Sequence, residues 1–251
     1  MLTTLVSIDV FQRTLATGEP SAIIKSEVDR ETEYFRSNIG QVTSVEDLMA
    51  DFRLYRYALT AFDLSDTLDQ RAIIEKVFSE STLSDESIAN RLPDGRFLEM
   101  AEAFDFFLLG TFNLTDQSFV DDVAERYRVV RSEEAEGELN QGVRLASYFL
   151  RNADGIDSWF DVLADPPLRE VVFTTLNIPT EVQATDVDRL AEELEQRFDI
   201  ADLQDPEQRD RFLQRFAIQY DLAGNNVVGP SSAAVTILQS AVNFASLNLL
   251  A

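Results

Sequence analysis

The sequence predicts an all-α protein, multi-helical and built from two related helical modules, and three observations support this prediction. Apolar residues recur at helical spacing along most of the chain, whereas strict alternation is rare. One pattern occurs twice, because residues 49–64 align without a gap on residues 163–178, and both copies begin apolar-Ala-Asp. The Arg-Phe-Leu triplet at 96–98 also returns at 211–213. An internal repeat of this kind predicts two copies of one helical unit.

The first module is predicted over about residues 20–110. The stretch before it, 1–19, is compatible with a strand through Val6, Ile8 and Val10 or with a helix through Leu5, Ile8, Phe11 and Leu15. Two N-caps are expected within the module, at Ser44, where Asp47 would complete a capping box, and at Asp51. Its helices are predicted over 22–37, 66–80, 84–92 and 95–108, and two more are predicted to begin after the caps at Ser44 and Asp51.

A long helix, either straight or kinked, is predicted over 117–152. It joins the first module to a second module over about 154–222. Asp165-Pro166 and Asp205-Pro206 each place a capping residue before a proline at the first helical position. Between them an amphipathic helix is expected, with one apolar face made by Val187, Leu190, Leu194 and Phe198. Residues 17–222 are therefore predicted to be a single all-α domain.

The C-terminal region is predicted to be a linker over 223–232 followed by an apolar helix over 233–251. This helix carries a candidate partner-binding seam at 3-4-3-4 spacing, formed by Val235, Leu238, Val242, Ala245 and Leu249. The seam would dock on its own domain or bind another chain, and a homodimer is one form of the second alternative. A membrane span is not expected, because polar residues interrupt the segment and it lacks a basic flank.

Several absences argue against catalysis. The chain has no Cys and no His, so cysteine nucleophiles, thiolate or imidazole metal ligands and Ser-His-Asp triads are excluded. Its glycines form neither a phosphate-binding loop nor a dinucleotide fingerprint. We therefore predict a protein that is not an enzyme, with no catalytic residues, no cofactor and no metal site.

The charge is strongly acidic, with 45 acidic and 21 basic residues and a formal net charge of −24. Such a surface repels nucleic acid and anionic membranes, so neither is expected as a partner, whereas a basic protein client is compatible with it. The N-terminus lacks a basic segment before its apolar run and does not resemble a cleavable signal peptide. The protein is therefore expected in the cytoplasm, or exported without a cleaved signal.

Three groups of side chains are candidates for a role in catalysis, binding or charge pairing. Pairs of carboxylates, such as Glu133-Glu134, are expected on solvated faces, and a carboxylate-based enzyme would require two acids to converge in a cleft. The aromatic run 104–112 is predicted to be core, and would be a binding patch if exposed. Arg144 and Arg151 share one helix face and are expected to pair with the repeated aspartates, Asp51 and Asp165.

Over roughly residues 28–220 the chain resembles a bacterial family of proteins of unknown function, DUF1217. The residues that carry the resemblance are Arg30-Glu31-Thr32-Glu33-Tyr34-Phe35, Asn38-Ile39-Gly40, Tyr57-Ala58-Leu59-Thr60-Ala61-Phe62-Asp63-Leu64, Ala89-Asn90-Arg91-Leu92, Asp94, Arg96-Phe97, Gly142-Val143-Arg144-Leu145-Ala146, Tyr148-Phe149, Arg151, Leu163-Ala164-Asp165-Pro166 and Arg215-Phe216. The family typically has Gly at the position of Asp63. The resemblance implies no catalytic residues, because none are assigned in the family. It does imply an association with the flagellum, because members are commonly encoded among flagellar genes.

These observations lead to three functional hypotheses. The first is a non-enzymatic helical interaction protein of the flagellar system, either an assembly factor or a minor structural component, whose partner is a flagellar protein. The second is a cytoplasmic acidic chaperone or regulator that holds a basic or aggregation-prone client. The third is the carboxylate-based enzyme, which the absent residue types disfavour.

Overall fold

The computed structural model describes residues 3–179 and 186–224, and the regular structure within these ranges is helical. The all-α prediction is thus confirmed. In chain order the α-helices are α1 (Thr4–Leu15), α2 (Lys25–Asn38), α3 (Val45–Ala50), α4 (Phe52–Ala61), α5 (Arg71–Ser79), α6 (Ile88–Arg91), α7 (Arg96–Phe104), α8 (Phe106–Leu109), α9 (Gln117–Leu139), α10 (Gln141–Asn152), α11 (Trp159–Ala164), α12 (Pro166–Leu176), α13 (Val187–Arg197) and α14 (Pro206–Leu222).

The described helices enclose two hydrophobic cores. The first core is formed by buried side chains from 24 to 135, with Phe35, Tyr57 and Phe104 among them. The second is formed by side chains from 143 to 220 together with Ile8 and Phe11. The ambiguous N-terminal stretch is therefore a helix, α1, and it packs on α10 and α14 of the second core.

The predicted helix over 117–152 is two helices, broken at Asn140. Asn140 has an extended backbone, and its side-chain oxygen accepts a hydrogen bond from Gly142 N at 2.9 Å, so it caps a new helix. A Cβ on Gly142 would lie 2.8 Å from atoms of both Thr4 and Tyr220, so only glycine fits there. Because α9 packs on α2 and α4 while α10 belongs to the second core, the break lies where the two cores meet.

Most of the predicted caps are present. The Asp51 carboxylate accepts from Arg53 N and Leu54 N, and the carboxylates of Asp165 and Asp205 cap α12 and α14. Ser44 caps α3 through Asp47 N, but the predicted capping box does not close. The Asp47 carboxylate instead accepts from Thr43 N, one residue earlier.

The two aligned stretches fold in the same order of helices. Continuing their alignment toward the N-terminus places α2 opposite α10, and both helices end on an asparagine. The side-chain amides of these residues, Asn38 and Asn152, each donate to a tyrosine carbonyl one turn earlier at 2.8 Å. The structure thus assigns α10 to the second core rather than to a connector. The division into modules over 20–110 and 154–222 stays a prediction.

Part of the predicted C-terminal architecture lies outside the described residues. This applies to all but the first two residues of the 223–232 linker and to the whole seam of Val235, Leu238, Val242, Ala245 and Leu249. Within 3–179 and 186–224, no helix is both long and apolar enough to cross a membrane.

Candidate functional site

An exposed apolar surface surrounds the short helix α8. Phe107, Leu108, Leu109 and Phe112 are between 46% and 79% exposed, and we call these four residues the α8 surface. Asp105 ends α7 in the left-handed region, and its carboxylate accepts from Leu108 N to start α8. The chain therefore turns sharply after the buried Phe104, which leaves the following apolar residues on the outside.

The base of the α8 surface is rigidly packed. The rings of Phe104 and Phe106 lie 5.2 and 5.6 Å from the ring of Phe78, in edge-on geometry. Beside the surface is an open groove of about 490 Å³, lined by Val45, Glu46 and Phe107 among others. The prediction that the aromatic run is core holds for Phe104 and is wrong for the α8 surface, because a short helix cannot turn nine consecutive, mostly apolar positions inward.

A cluster of charges around two buried carboxylates connects the two cores. An Nη atom of Arg151 lies 2.6 Å from the Asp63 carboxylate and 2.9 Å from that of Glu133, and Arg144 lies 3.8 Å from Asp63. The Asp63 backbone carbonyl also accepts from Arg96 at 2.5 Å. We call Asp63, Glu133, Arg144 and Arg151 the junction cluster, in which two acids balance two bases.

Burial sets the electrostatics of the junction cluster. It raises the pKa of Glu133, and the nearby Arg151 opposes that shift. Burial alone would lower the pKa of Arg151, but the carboxylates of Glu133 and Asp63 raise it, so the guanidinium stays charged. The cluster is thus a compensated ionic contact between helices, in which each charge depends on its neighbours.

The predicted partners of Arg144 and Arg151 were wrong. Both arginines pair with Asp63, which follows α4, and not with Asp51 or Asp165. Asp63 has a left-handed backbone, with φ of 60°. Its turn places the carboxylate against α10, a contact between separate helices that sequence spacing does not reveal.

Asp51 and Asp165 have a second role beyond capping. Tyr34 donates to the Asp51 carboxylate at 2.7 Å, and Tyr148 donates to that of Asp165 at 2.5 Å. The two residues of each pair are seventeen positions apart. The sequence analysis did not identify these two tyrosines as partners of the aspartates. They occupy matching positions when the alignment of the two stretches is continued toward the N-terminus.

A cleft of about 400 Å³ lies beside the second pair and is lined by Arg96, Tyr148, Arg151 and Asp165, among others. Its two guanidiniums are already engaged, that of Arg96 by the Asp94 carboxylate and that of Arg151 by the junction cluster. Burial also raises the pKa of Tyr148, which keeps its hydroxyl protonated. These contacts hold the helices around the cleft together.

The paired carboxylates divide between surface and interior. Glu133 is buried in the junction cluster, whereas its neighbour Glu134 pairs with Arg131. Asp121 and Glu99 pair with Arg36 and Arg126 respectively. Across the described parts of the chain, no group of acidic side chains has a metal-binding arrangement.

The fold and these surfaces define a class of all-helical protein in which buried charges join two cores and apolar side chains are displayed around one short helix. The chain belongs to the DUF1217 family of proteins of unknown function, whose match covers residues 61–208. A comparison with curated proteins gives no match.

One solved structure supports the same fold. The chain is similar to a protein from Agrobacterium tumefaciens whose crystal structure was determined by a structural genomics consortium. The two sequences are 42% identical, the match covers 78% of this chain and 84% of the other, and the TM-score is 0.71.

Proposed function

We propose that this protein is a non-enzymatic helical interaction protein of the bacterial flagellum, either an assembly factor or a minor structural component. The α8 surface is the observation that supports the interaction role, because its large apolar side chains are exposed together on a packed base. Exposed apolar patches of this kind mark binding sites in soluble proteins. The flagellar part of the proposal follows from the family resemblance. The protein acts in the cytoplasm or is exported without a cleaved signal.

The chemistry of the α8 surface indicates what it would bind. Its aromatic rings suit the apolar face of a partner helix lying in the neighbouring groove. Glu46 lines that groove and Asp105 starts α8, so the edges carry negative charge. The expected partner is therefore a protein segment with an apolar face and basic flanks.

The test uses an in-frame deletion strain that expresses either the wild-type chain or a variant. Phe107→Glu/Phe112→Glu places charge in the α8 surface. Phe160→Glu is the matched control, because Phe160 is 51% exposed on α11, in the other half of the protein. We expect the deletion to abolish swimming, and we expect the wild type and Phe160→Glu, but not the double variant, to restore it.

Each outcome has a separate consequence. Normal swimming of the deletion strain would overturn the flagellar role. Full rescue by Phe107→Glu/Phe112→Glu would overturn the role of the α8 surface. Thermal unfolding of the purified variants shows whether each one is folded, which separates a lost contact from a lost structure.

The acidic chaperone remains the alternative proposal, and the net charge of −24 is the observation that favours it. Contacts between exposed charges weaken as salt rises, whereas apolar contacts do not. Binding of the flagellar partner that persists at about 0.5 M salt, where the Debye length is roughly 4 Å, would favour the α8 surface. Binding that is lost under these conditions would favour the chaperone.

A further inference from the structure

A small basic patch stands out on this acidic protein. Three arginines, Arg30, Arg53 and Arg56, contact the carboxylate of one glutamate, Glu31, at 3.2, 3.2 and 3.6 Å. Within the described residues no other carboxylate has three cationic partners. Three arginines against one glutamate give these four side chains a summed charge of +2, in a chain whose net charge is −24.

The arginines remain available to a ligand. Their side chains are between 39% and 67% exposed, whereas that of Glu31 is 9% exposed. Each uses only part of its guanidinium on Glu31, and the remaining N–H groups donate to no other side chain or carbonyl in the described structure. These groups present planar donor pairs, a geometry that fits carboxylates and other oxyanions.

The patch is held in place by its surroundings. The guanidinium of Arg53 lies over the ring of Tyr34, 3.7 Å from its centre, and the hydroxyl of Tyr34 donates to Asp51. Burial raises the pKa of Glu31, but the arginine contacts outweigh this effect and lower it, so the carboxylate stays ionised and keeps the arginines together. A preorganised cluster loses less side-chain entropy when a ligand binds.

An exposed aromatic residue completes the surface. Phe52 is exposed on the first turn of α4, one helical turn before Arg56, so the two side chains share a face. Arginine and aromatic side chains together are the residues that dominate binding at protein interfaces. An extended polyanion is a poor match, because its ends would lie against the surrounding acidic surface, which repels anions that come within about 8 Å of it.

We propose that Arg30, Phe52, Arg53 and Arg56 form a docking surface for a short acidic protein segment in which carboxylates flank an apolar residue. The carboxylates bind the free edges of the guanidiniums, and the apolar residue packs on Phe52. This surface recognises a partner opposite in charge to the one proposed for the α8 surface. A protein with both surfaces bridges two different partners.

The test measures binding of a fluorescein-labelled Glu-Asp-Leu-Asp-Glu peptide to the full chain by fluorescence anisotropy at low salt. Arg53→Gln/Arg56→Gln should weaken binding about tenfold, since each exposed charge contact contributes up to about 1 kcal/mol. Phe52→Ser should weaken it about threefold. The matched control is Arg13→Gln/Arg211→Gln, which removes two exposed arginines that pair within their own helices, and it should bind like the wild type.

Three results would overturn the proposal. Equal weakening in the Arg13→Gln/Arg211→Gln control would show a general charge effect. Equal binding of a Gln-Asn-Leu-Asn-Gln peptide would show that the carboxylates are not recognised. Displacement of the peptide by inorganic phosphate at an equal concentration would assign the patch to a free oxyanion. Circular dichroism of each variant confirms the fold. Arg56→Lys keeps the charge but loses the planar donor pair, so it should bind more weakly than the wild type and more tightly than Arg53→Gln/Arg56→Gln.

Discussion

The two tyrosine–aspartate pairs show one local arrangement in two environments. In each pair a tyrosine hydroxyl donates to a carboxylate seventeen residues further on, which caps the second helix after that of the tyrosine. The pKa of Asp51 is nevertheless lowered from its ordinary value, whereas that of Asp165 is raised. The same hydrogen-bonding motif therefore favours the ionised form in one place and the neutral form in the other.

Burial explains the difference. For Asp51 burial raises the pKa, but Tyr34, two backbone N–H groups and the charge of Arg53 together outweigh it. For Asp165, which lies beside the cleft, burial is stronger than the bonds from Leu168 N and Tyr148. The comparison shows that the local sequence determines which hydrogen bonds each aspartate accepts. The packing of the rest of the chain determines whether the pKa of the aspartate is raised or lowered.

The largest expected effect is in the junction cluster, which has no counterpart beside the first pair. The position that aligns with Arg151 is Ser37, which is exposed. Arg151→Met should destabilise the protein by about 3–5 kcal/mol, because it leaves Glu133 and Asp63 with an uncompensated buried charge. Urea unfolding at neutral pH measures this change.

Two further variants test whether the loss of stability in Arg151→Met comes from the missing charge. Ser37→Ala should change the free energy of unfolding by less than about 0.5 kcal/mol. Arg151→Met/Glu133→Gln restores the charge balance, so it should be more stable than Arg151→Met alone. A double variant that is no more stable than the single one would show that Arg151 acts through packing rather than charge.

Removal of the tyrosine hydroxyls compares the two pairs directly. Tyr148→Phe should cost about 1–3 kcal/mol, because it removes the hydroxyl of a buried tyrosine from a half-buried carboxylate. Tyr34→Phe should cost less, because water replaces the lost donor at the surface. The measurement is thermal and urea unfolding of both variants, and equal losses would contradict the role assigned to burial.

The smallest expected effect is that Asp51 and Asp165 change the free energy of unfolding in opposite directions as the pH rises. The stabilisation from ionised Asp51 is present above the ordinary aspartate pKa of about 3.9 and is lost as the pH falls through the lower folded-state pKa. For Asp165 the contribution is present below about 3.9 and is lost as the pH rises through the higher folded-state pKa.

Asp51→Asn and Asp165→Asn test this prediction, since asparagine still caps a helix. Unfolding free energies are measured from about pH 3 to 6, a window that brackets the ordinary pKa. The stability of the wild type relative to Asp51→Asn should increase with pH, whereas its stability relative to Asp165→Asn should decrease. Slopes of the same sign for both variants would refute the comparison.

Local patterns predicted much of the helical structure, because their causes are local. The caps at Asp51, Asp165 and Asp205 follow from short-range hydrogen bonds, and each was predicted at the correct residue. The sequence is compatible with a kink in the 117–152 helix but does not locate the break at Asn140, since the apolar pattern continues across it. The close approach of Tyr220 and Thr4, from two distant helices, explains why a glycine stands at position 142 just after the break.

The candidate sites were less predictable than the helices. The aromatic run was identified as notable, but its exposure depends on the left-handed turn at Asp105. The basic patch brings together Arg30 and the arginines of α4, and it needs the packing of α2 on α4 to exist. Neither arrangement follows from the spacing of residues along one helix.

The sequence by itself determined the all-helical class, the positions of the main caps, the acidic charge and the absence of histidine and cysteine chemistry. These properties depend on composition and on interactions within a few residues. The tertiary structure decided which apolar residues stay exposed, which charges meet at Asp63 and for which aspartate burial outweighs the hydrogen bonds and raises the pKa. These outcomes depend on contacts between distant segments, and on the loss of solvent that such contacts cause.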